Sequence, residues 1–258
     1  IFFKLMRDLR IVFMGTPGFA VGVLQKLVAE GKKIVGVITS PDKPAGRGRK
    51  LKQSDIKAYA VSQNLKLLQP SNLKDEHFLD ELRSLNANLQ IVVAFRMLPK
   101  VVWSIPSYGT FNLHASLLPQ YRGAAPINWA IINSELKTGV STFFIDDKID
   151  TGEIILKEAV IIKERETFGS LHDVLMNTGS HLVIKTVELI ARSEESPKKQ
   201  IISDVLKNAP KLTKENTKID WNQPVEEIDS FIRGLNPYPA AWCTMINNKE
   251  ESTVKIYN

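Results

Sequence analysis

Asn112 and His114 stand two positions apart in FNLHASLLPQYRGAAP, residues 111–126, on a stretch that reads as a β-strand. Successive strand side chains point to opposite faces, so this amide and this imidazole converge on one spot while Phe111 and Leu113 point the other way. Imidazole has the ordinary pKa closest to neutrality, which makes His114 a natural proton carrier if it lines a cleft. A carboxamide N–H aimed at the same place can stabilise an oxyanion during attack on a carbonyl. A lone histidine on an apolar strand has a plainer explanation, a buried ring satisfied by a backbone group. The asparagine beside it tips the reading toward chemistry.

Such a pair needs a further group to orient the imidazole or relay a proton, and a carboxylate serves best. FIDDKIDTGEI offers Asp146, Asp147 and Asp150 after a predicted strand, where ligands of open α/β sheets bind. Asp150 precedes Thr151 and Gly152, a turn-forming pair that could project a carboxylate. Spacing alone leaves all three aspartates open. A Ser-His-Asp hydrolase using Ser116 is a poor fit, because the G-x-S-x-G elbow is missing. A nicotinamide site is also poor: GTPGFA lacks the G-x-G-x-x-G spacing, although Asp42 sits near where a ribose-binding acid is expected. Pro17 suits the first position of a helix instead.

The second distinctive segment is SPDKPAGRGRKLK, residues 40–52, where Lys43, Arg47, Arg49, Lys50 and Lys52 crowd together. Its prolines and glycines argue against a helix and for an irregular, mobile loop. Concentrated positive charge there suits contacts with a nucleic-acid backbone. The competing reading is a solvated charge run.

These groups need a scaffold. Short β-branched runs alternate with amphipathic stretches over the first 190 or so residues, the pattern of βαβ units on a parallel sheet. Strands are expected at 10–15, 33–40, 65–70, 89–95, 109–116 and 139–146, and helices at 17–31, 55–64 and 75–86. SEESPKKQ, 193–200, reads as linker, followed by a second unit with a helix in PVEEIDSFIRGLNPYPAAW and a strand in TVKIYN.

Composition sets the remaining bounds. A chain of 258 residues with 43% hydrophobic and 24% charged residues is globular, forming one large domain or a domain plus a smaller one. One cysteine excludes an internal disulfide, and four histidines without metal-ligand spacing argue against structural zinc. Both favour a reducing, cytoplasmic setting. No secretory leader is expected in IFFKLMRDLR, Met6 is a candidate natural start, and no apolar run approaches the roughly 18 residues of a membrane span. A net charge of +6 and a pI near 9.2 suggest an anionic partner.

Taken together, RIVFMGTPGFA, SPDKPAGRGRKL, FNLHASLLPQYRGAAPINWAI, IDTGEI, KLTKENTKIDW and NPYPAAW resemble the methionyl-tRNA formyltransferases from about residue 9 to the end. The Asn-x-His and Asp-Thr-Gly elements are common to folate-dependent formyltransferases, and the basic loop sets the tRNA enzymes apart. The resemblance implies Asn112, His114 and Asp150 as the catalytic set. It implies Ser116, Leu117, Leu118 and Pro119 as folate contacts, with VVAFRMLP, 92–99, holding the pterin, and Lys43, Arg47, Arg49 and Lys50 as tRNA contacts. The implied fold is α/β, a Rossmann-like, mostly parallel sheet with helices on both faces, followed by the start of a small C-terminal OB-like β-barrel, apparently incomplete. The expected domains are 9–192, a linker 193–207, and a truncated 208–258. The implied reaction carries a formyl group from 10-formyltetrahydrofolate to the α-amino group of initiator methionyl-tRNA, without a metal or membrane, by a monomer in the cytoplasm. Two rivals are a formyltransferase acting on an amino-sugar nucleotide and a basic RNA-binding module without catalysis.

Overall fold

The computed structural model describes residues 6–45, 50–202, 205–248 and 250–257. They fall into two compact units, one drawn from Ile1–His114, Ser141–Lys157 and Met176–Gln200, the other from Ala115–Val140, Glu158–Leu175 and Ile201–Asn258. Among the described residues no helix is long and apolar enough to cross a membrane.

The chain opens with β1 (Ile11–Gly15), α1 (Gly18–Ala29) and β2 (Ile34–Ile38). α1 stops at Glu30, and Gly31 at φ 63 supplies the left-handed turn that ends it. The basic segment, expected as an irregular loop, contains instead two short strands, β3 (Lys43–Ala45) and β4 (Lys50–Lys52), in antiparallel register. A two-stranded ribbon is all edge, so Pro44 costs it little pairing. α2 (Asp55–Ser62), β5 (Leu67–Leu68), α3 (Glu76–Ser84) and β6 (Leu89–Val93) follow. Ser54 and Asp75 cap the two helices by accepting from the amides of Lys57 and Phe78 at 3.1 Å each. Next come α4 (Lys100–Trp103), β7 (Thr110–His114), β8 (Arg122–Gly123), α5 (Pro126–Ile132), β9 (Lys137–Phe144), β10 (Ile154–Ile161) and α6 (Phe168–Arg192).

Seven of these strands form one sheet in the order β10-β9-β7-β6-β1-β2-β5. From β7 to β5 the pairs are parallel, and β9 runs antiparallel to β7. Every residue of β1 and β6 is buried, so both sheet faces are covered, as continuous apolar strands demand. On one face Val12, Met14, Ile38 and Val92 pack with Phe78, Leu79 and Leu82 of α3. On the other lie α1, where a Cβ on Gly15 would sit 2.6 Å from that of Ala20, and α6, where one on Gly179 would sit 2.8 Å from Leu113. Close helix-to-strand approach explains why α6 carries glycine there.

In the second unit β8 pairs with β11 (Asn208–Ala209), and a single 3₁₀ turn covers Glu215–Thr217. α7 (Val225–Leu235) then leads into the antiparallel pair of β12 (Ala241–Asn247) and β13 (Glu250–Ile256). Ile219, Leu235 and Ala241 form a small core with Ile228, Phe231, Ile232 and Ile256 around them.

Asp42, the ribose-binding candidate, is already engaged: its carboxylate accepts from Lys57 Nζ at 2.6 Å and from Gln69 Nε2 at 3.0 Å. Those hydrogen bonds hold its pKa below the ordinary value. A lowered folded-state pKa contributes stability that is complete above the unfolded value, about 3.9, and lost as pH falls through the lower folded one. The thermal midpoint of Asp42→Asn is therefore expected to lie below wild type near neutral pH. The gap should close in scans below about pH 3.9; a gap of the same size in strong acid would show that charge is not the cause.

Candidate active site

β7 sits between β6 and β9, and its register places Asn112 beside Val92 and Phe143, and His114 beside Ser141. Because Val92 belongs to the face covered by α3, Asn112 and His114 face that side, and Leu113 faces α6. Asn112 is half-buried, and no side-chain hydrogen bond joins it to another described residue. Its N–H donors remain available to a ligand. The His114 ring is buried, with 7% of its side chain exposed.

The acid loop runs from the end of β9 to the start of β10 and distinguishes the three aspartates. Asp146 is used within the loop: its carboxylate accepts from Thr151 Oγ1 at 2.7 and 2.9 Å and from the Lys148 amide at 3.0 Å. Asp147 is exposed, 4.0 Å from Lys100 Nζ. Asp150 turns inward, with Oδ2 3.8 Å from His114 Nδ1 and only 13% of its side chain exposed. Its backbone has φ 55, in the left-handed region that few non-glycine residues adopt and that aspartate tolerates better than most. Two contacts flank it. Gly152 passes so close to β9 that a Cβ there would lie 1.6 Å from the Phe144 carbonyl oxygen, and Gln200 Nε2 donates to the carbonyls of Asp150 and Gly152 at 2.8 and 2.9 Å.

The first unit thus brings the Asp150 carboxylate to the His114 ring, on the strand face that also carries Asn112. An amide donor, an imidazole and a carboxylate so placed can stabilise negative charge on a carbonyl oxygen and pass a proton. Among the described residues no group of His, Cys, Asp and Glu side chains is placed to hold a metal ion. Gln200 was missed by sequence reasoning. It lies in a polar, charged stretch read as linker, and only its distance in space from Asp150 reveals it.

The stretch 92–99 follows β6 in the same unit. Ala94 has φ 47, Leu98 is buried, and Met97 is 68% exposed. Arg96 donates to the carbonyls of Ser71, at 2.8 Å, and Pro70, fixing that loop. The folate candidates Ser116 to Pro119 belong to the second unit. Ser116 is fully buried and donates to the Gln120 carbonyl at 2.6 Å, Leu118 is fully buried, and Leu117 and Pro119 are half-buried. Ser116 therefore holds its own turn. Of the basic candidates, Lys43 is exposed on β3 and Lys50 contributes backbone to β4, while Arg47 and Arg49 lie outside the described residues.

Residues 9–187 match the formyl transferase family and residues 211–258 the formyl transferase C-terminal domain. The methionyl-tRNA formyltransferase of Flavobacterium johnsoniae is 61% identical over 252 residues, covering 98% of this chain and 80% of the relative. Among solved structures, a sugar N-formyltransferase from Shewanella superposes with a TM-score of 0.73 at 16% identity, covering 98% of each chain. HypX of Aquifex aeolicus, in complex with tetrahydrofolic acid, superposes at 0.70 and 17% identity over 98% of this chain, which corresponds to 38% of that longer protein. The structural likenesses share the fold. The sequence likeness goes further, and the chain belongs to the methionyl-tRNA formyltransferase family.

Proposed function

We propose that this protein transfers the formyl group of 10-formyltetrahydrofolate to the α-amino group of methionyl-initiator tRNA, acting as a monomer in the cytoplasm. The observation that carries the acceptor is the 61% identity to a methionyl-tRNA formyltransferase across 98% of the chain. The sugar N-formyltransferase from Shewanella resembles it in fold at 16% identity. Formyl transfer is assigned to residues 9–192, joined through 193–207 to a C-terminal domain from 208, a division supported by the two family matches.

In the reaction the methionyl nitrogen bonds to the formyl carbon as that carbon's bond to the folate nitrogen breaks, and the displaced nitrogen takes the proton the amine gives up. Asn112 donates its carboxamide N–H to the formyl oxygen as negative charge grows there. His114, in its protonated form, stabilises the same oxygen and passes protons between the two nitrogens. Asp150 supports the charge on that ring, and the 3.8 Å spacing between them supports the assignment. Of the folate candidates, the half-buried Leu117 and Pro119 meet the folate while the buried Ser116 and Leu118 shape the turn behind them, with the 92–99 loop against its pterin. Lys43, Arg47, Arg49 and Lys50 meet the tRNA backbone, and the net charge of +6 suits such a partner.

The deciding experiment is a formylation assay with 10-formyltetrahydrofolate and charged initiator tRNA, run beside an amino-sugar nucleotide. Transfer to the tRNA alone is expected. Transfer to the sugar alone would move the chain to the small-acceptor class, and binding of tRNA without transfer from the folate would leave only an RNA-binding module.

The basic segment makes its own prediction. Arg47→Ala is expected to weaken tRNA use and to lower the slope of log affinity against log salt by about 1, as loss of one phosphate contact requires. An unchanged slope would return the segment to a solvated charge run.

A further inference from the structure

Gln200 lies 50 positions beyond Asp150 in the chain. An antiparallel bridge brings it there: the Ile154 amide donates to the Lys198 carbonyl at 2.8 Å, and the Lys198 amide returns to Ile154 at 2.9 Å. That pairing fixes the segment 198–200 along the outgoing side of the acid loop. The Gln200 carboxamide then spans the turn, reaching the carbonyls of Asp150 and Gly152. Both partners are acceptors, so the nitrogen of the amide must face them and its two hydrogens serve one carbonyl each.

Seen from the loop, the arrangement is a clamp with two jaws. From within, Asp146 holds the Thr151 hydroxyl and the Lys148 amide. From outside, Gln200 holds the carbonyls on either side of Thr151. Between them Asp150 sits at φ 55, and with its backbone in that conformation its carboxylate lies 3.8 Å from His114.

We infer that Gln200 is a positioning residue for the transfer reaction: its carboxamide holds the Asp150 backbone in the left-handed conformation that directs the carboxylate to His114. Gln200 touches no reacting atom in this role and acts through Asp150 alone. The inference rests on the reading of Asp150 as a member of the catalytic set.

Gln200→Met keeps the length of the side chain and removes both donors. In the full chain, with 10-formyltetrahydrofolate and charged initiator tRNA, kcat is expected to fall roughly 10- to 100-fold, the scale of a misplacement near 1 Å. KM for both substrates should stay at wild-type values, and the thermal midpoint should fall by only a few degrees, as the loss of two hydrogen bonds requires. In an Asp150→Ala background the same substitution should cost nothing further, because the group it positions is gone. An equal loss in both backgrounds, or a rise in KM with kcat intact, overturns the inference. If Gln200→Met does not fold, Gln200→Glu, which matches the glutamine in size and turns a carboxylate on the two carbonyls, carries the same comparison. Failure of both to fold overturns it too, since the residue would then hold the fold instead of the loop. Wild-type turnover in Asp150→Ala sinks the catalytic reading and the inference together, whereas loss there with wild-type turnover in Gln200→Met sinks the inference alone.

Discussion

Replacing His114 with alanine is expected to lower formyl transfer by about 10²- to 10⁴-fold, the contribution of a positioned acid–base group, while leaving tRNA affinity close to wild type. The side chain is 7% exposed, near Asp150 and on the same face as Asn112, so little of it can touch a macromolecule directly. Its loss should appear in kcat measured under saturating tRNA. Truncating a buried ring also opens a cavity, which alone costs on the order of 1–3 kcal/mol. The thermal midpoint must therefore be followed, and turnover compared at a temperature where both proteins are folded. Under that condition wild-type turnover would remove His114 from the mechanism and leave it a buried ring in a sheet. A loss confined to KM for tRNA would assign it to acceptor binding instead.

The parts of this site that sequence made visible are those whose neighbours in space are also neighbours in the chain. Asn112 and His114 share a face because they are two apart on a strand, and the apolar runs 11–15 and 89–93 announce buried parallel strands because nothing polar interrupts them. The helices expected at 55–64 and 75–86 form at 55–62 and 76–84, the second on its apolar stripe. Other elements were not legible, among them β10, α6 and β12. β10 has a buried start, but half its length alternates at the edge of the sheet, and it follows the acid loop without a break. α6 carries Gly169 and Gly179 where packing against a neighbour leaves no room for a Cβ, so propensity argues against a helix that tertiary contact enforces. β12 lies against β13 with an exposed outer half, a pattern too polar to read as core. The aspartates were indistinguishable for a different reason: nothing in FIDDKIDTGEI says which carboxylate the backbone will spend on its own loop. That choice depends on Thr151 folding back onto Asp146 and on Gln200 arriving from far along the chain.

Gly152→Ala tests whether that loop geometry matters to the chemistry. The position is buried, and an added methyl would overlap the Phe144 carbonyl oxygen at 1.6 Å, a backbone atom that cannot rotate away. Phe144 is itself held, its amide donating to the Glu153 carbonyl at 3.0 Å on the far side of the same turn. One segment must therefore shift, and the loop is the softer of the two because the end of β9, Ser141 to Phe144, is paired with β7. The expected stability cost is about 1–3 kcal/mol, that of forcing an extra carbon into packed space. Turnover should fall about 10²-fold as Asp150 moves off His114. Asn112 and His114 belong to β7 and stay where they are, so the residual activity should match that of Asp150→Ala and exceed that of His114→Ala. Parallel measurement of kcat and the thermal midpoint for the three variants decides it. A Gly152→Ala protein with wild-type turnover would mean that the carboxylate at 150 can leave its place without consequence, and the acid would have to be sought elsewhere.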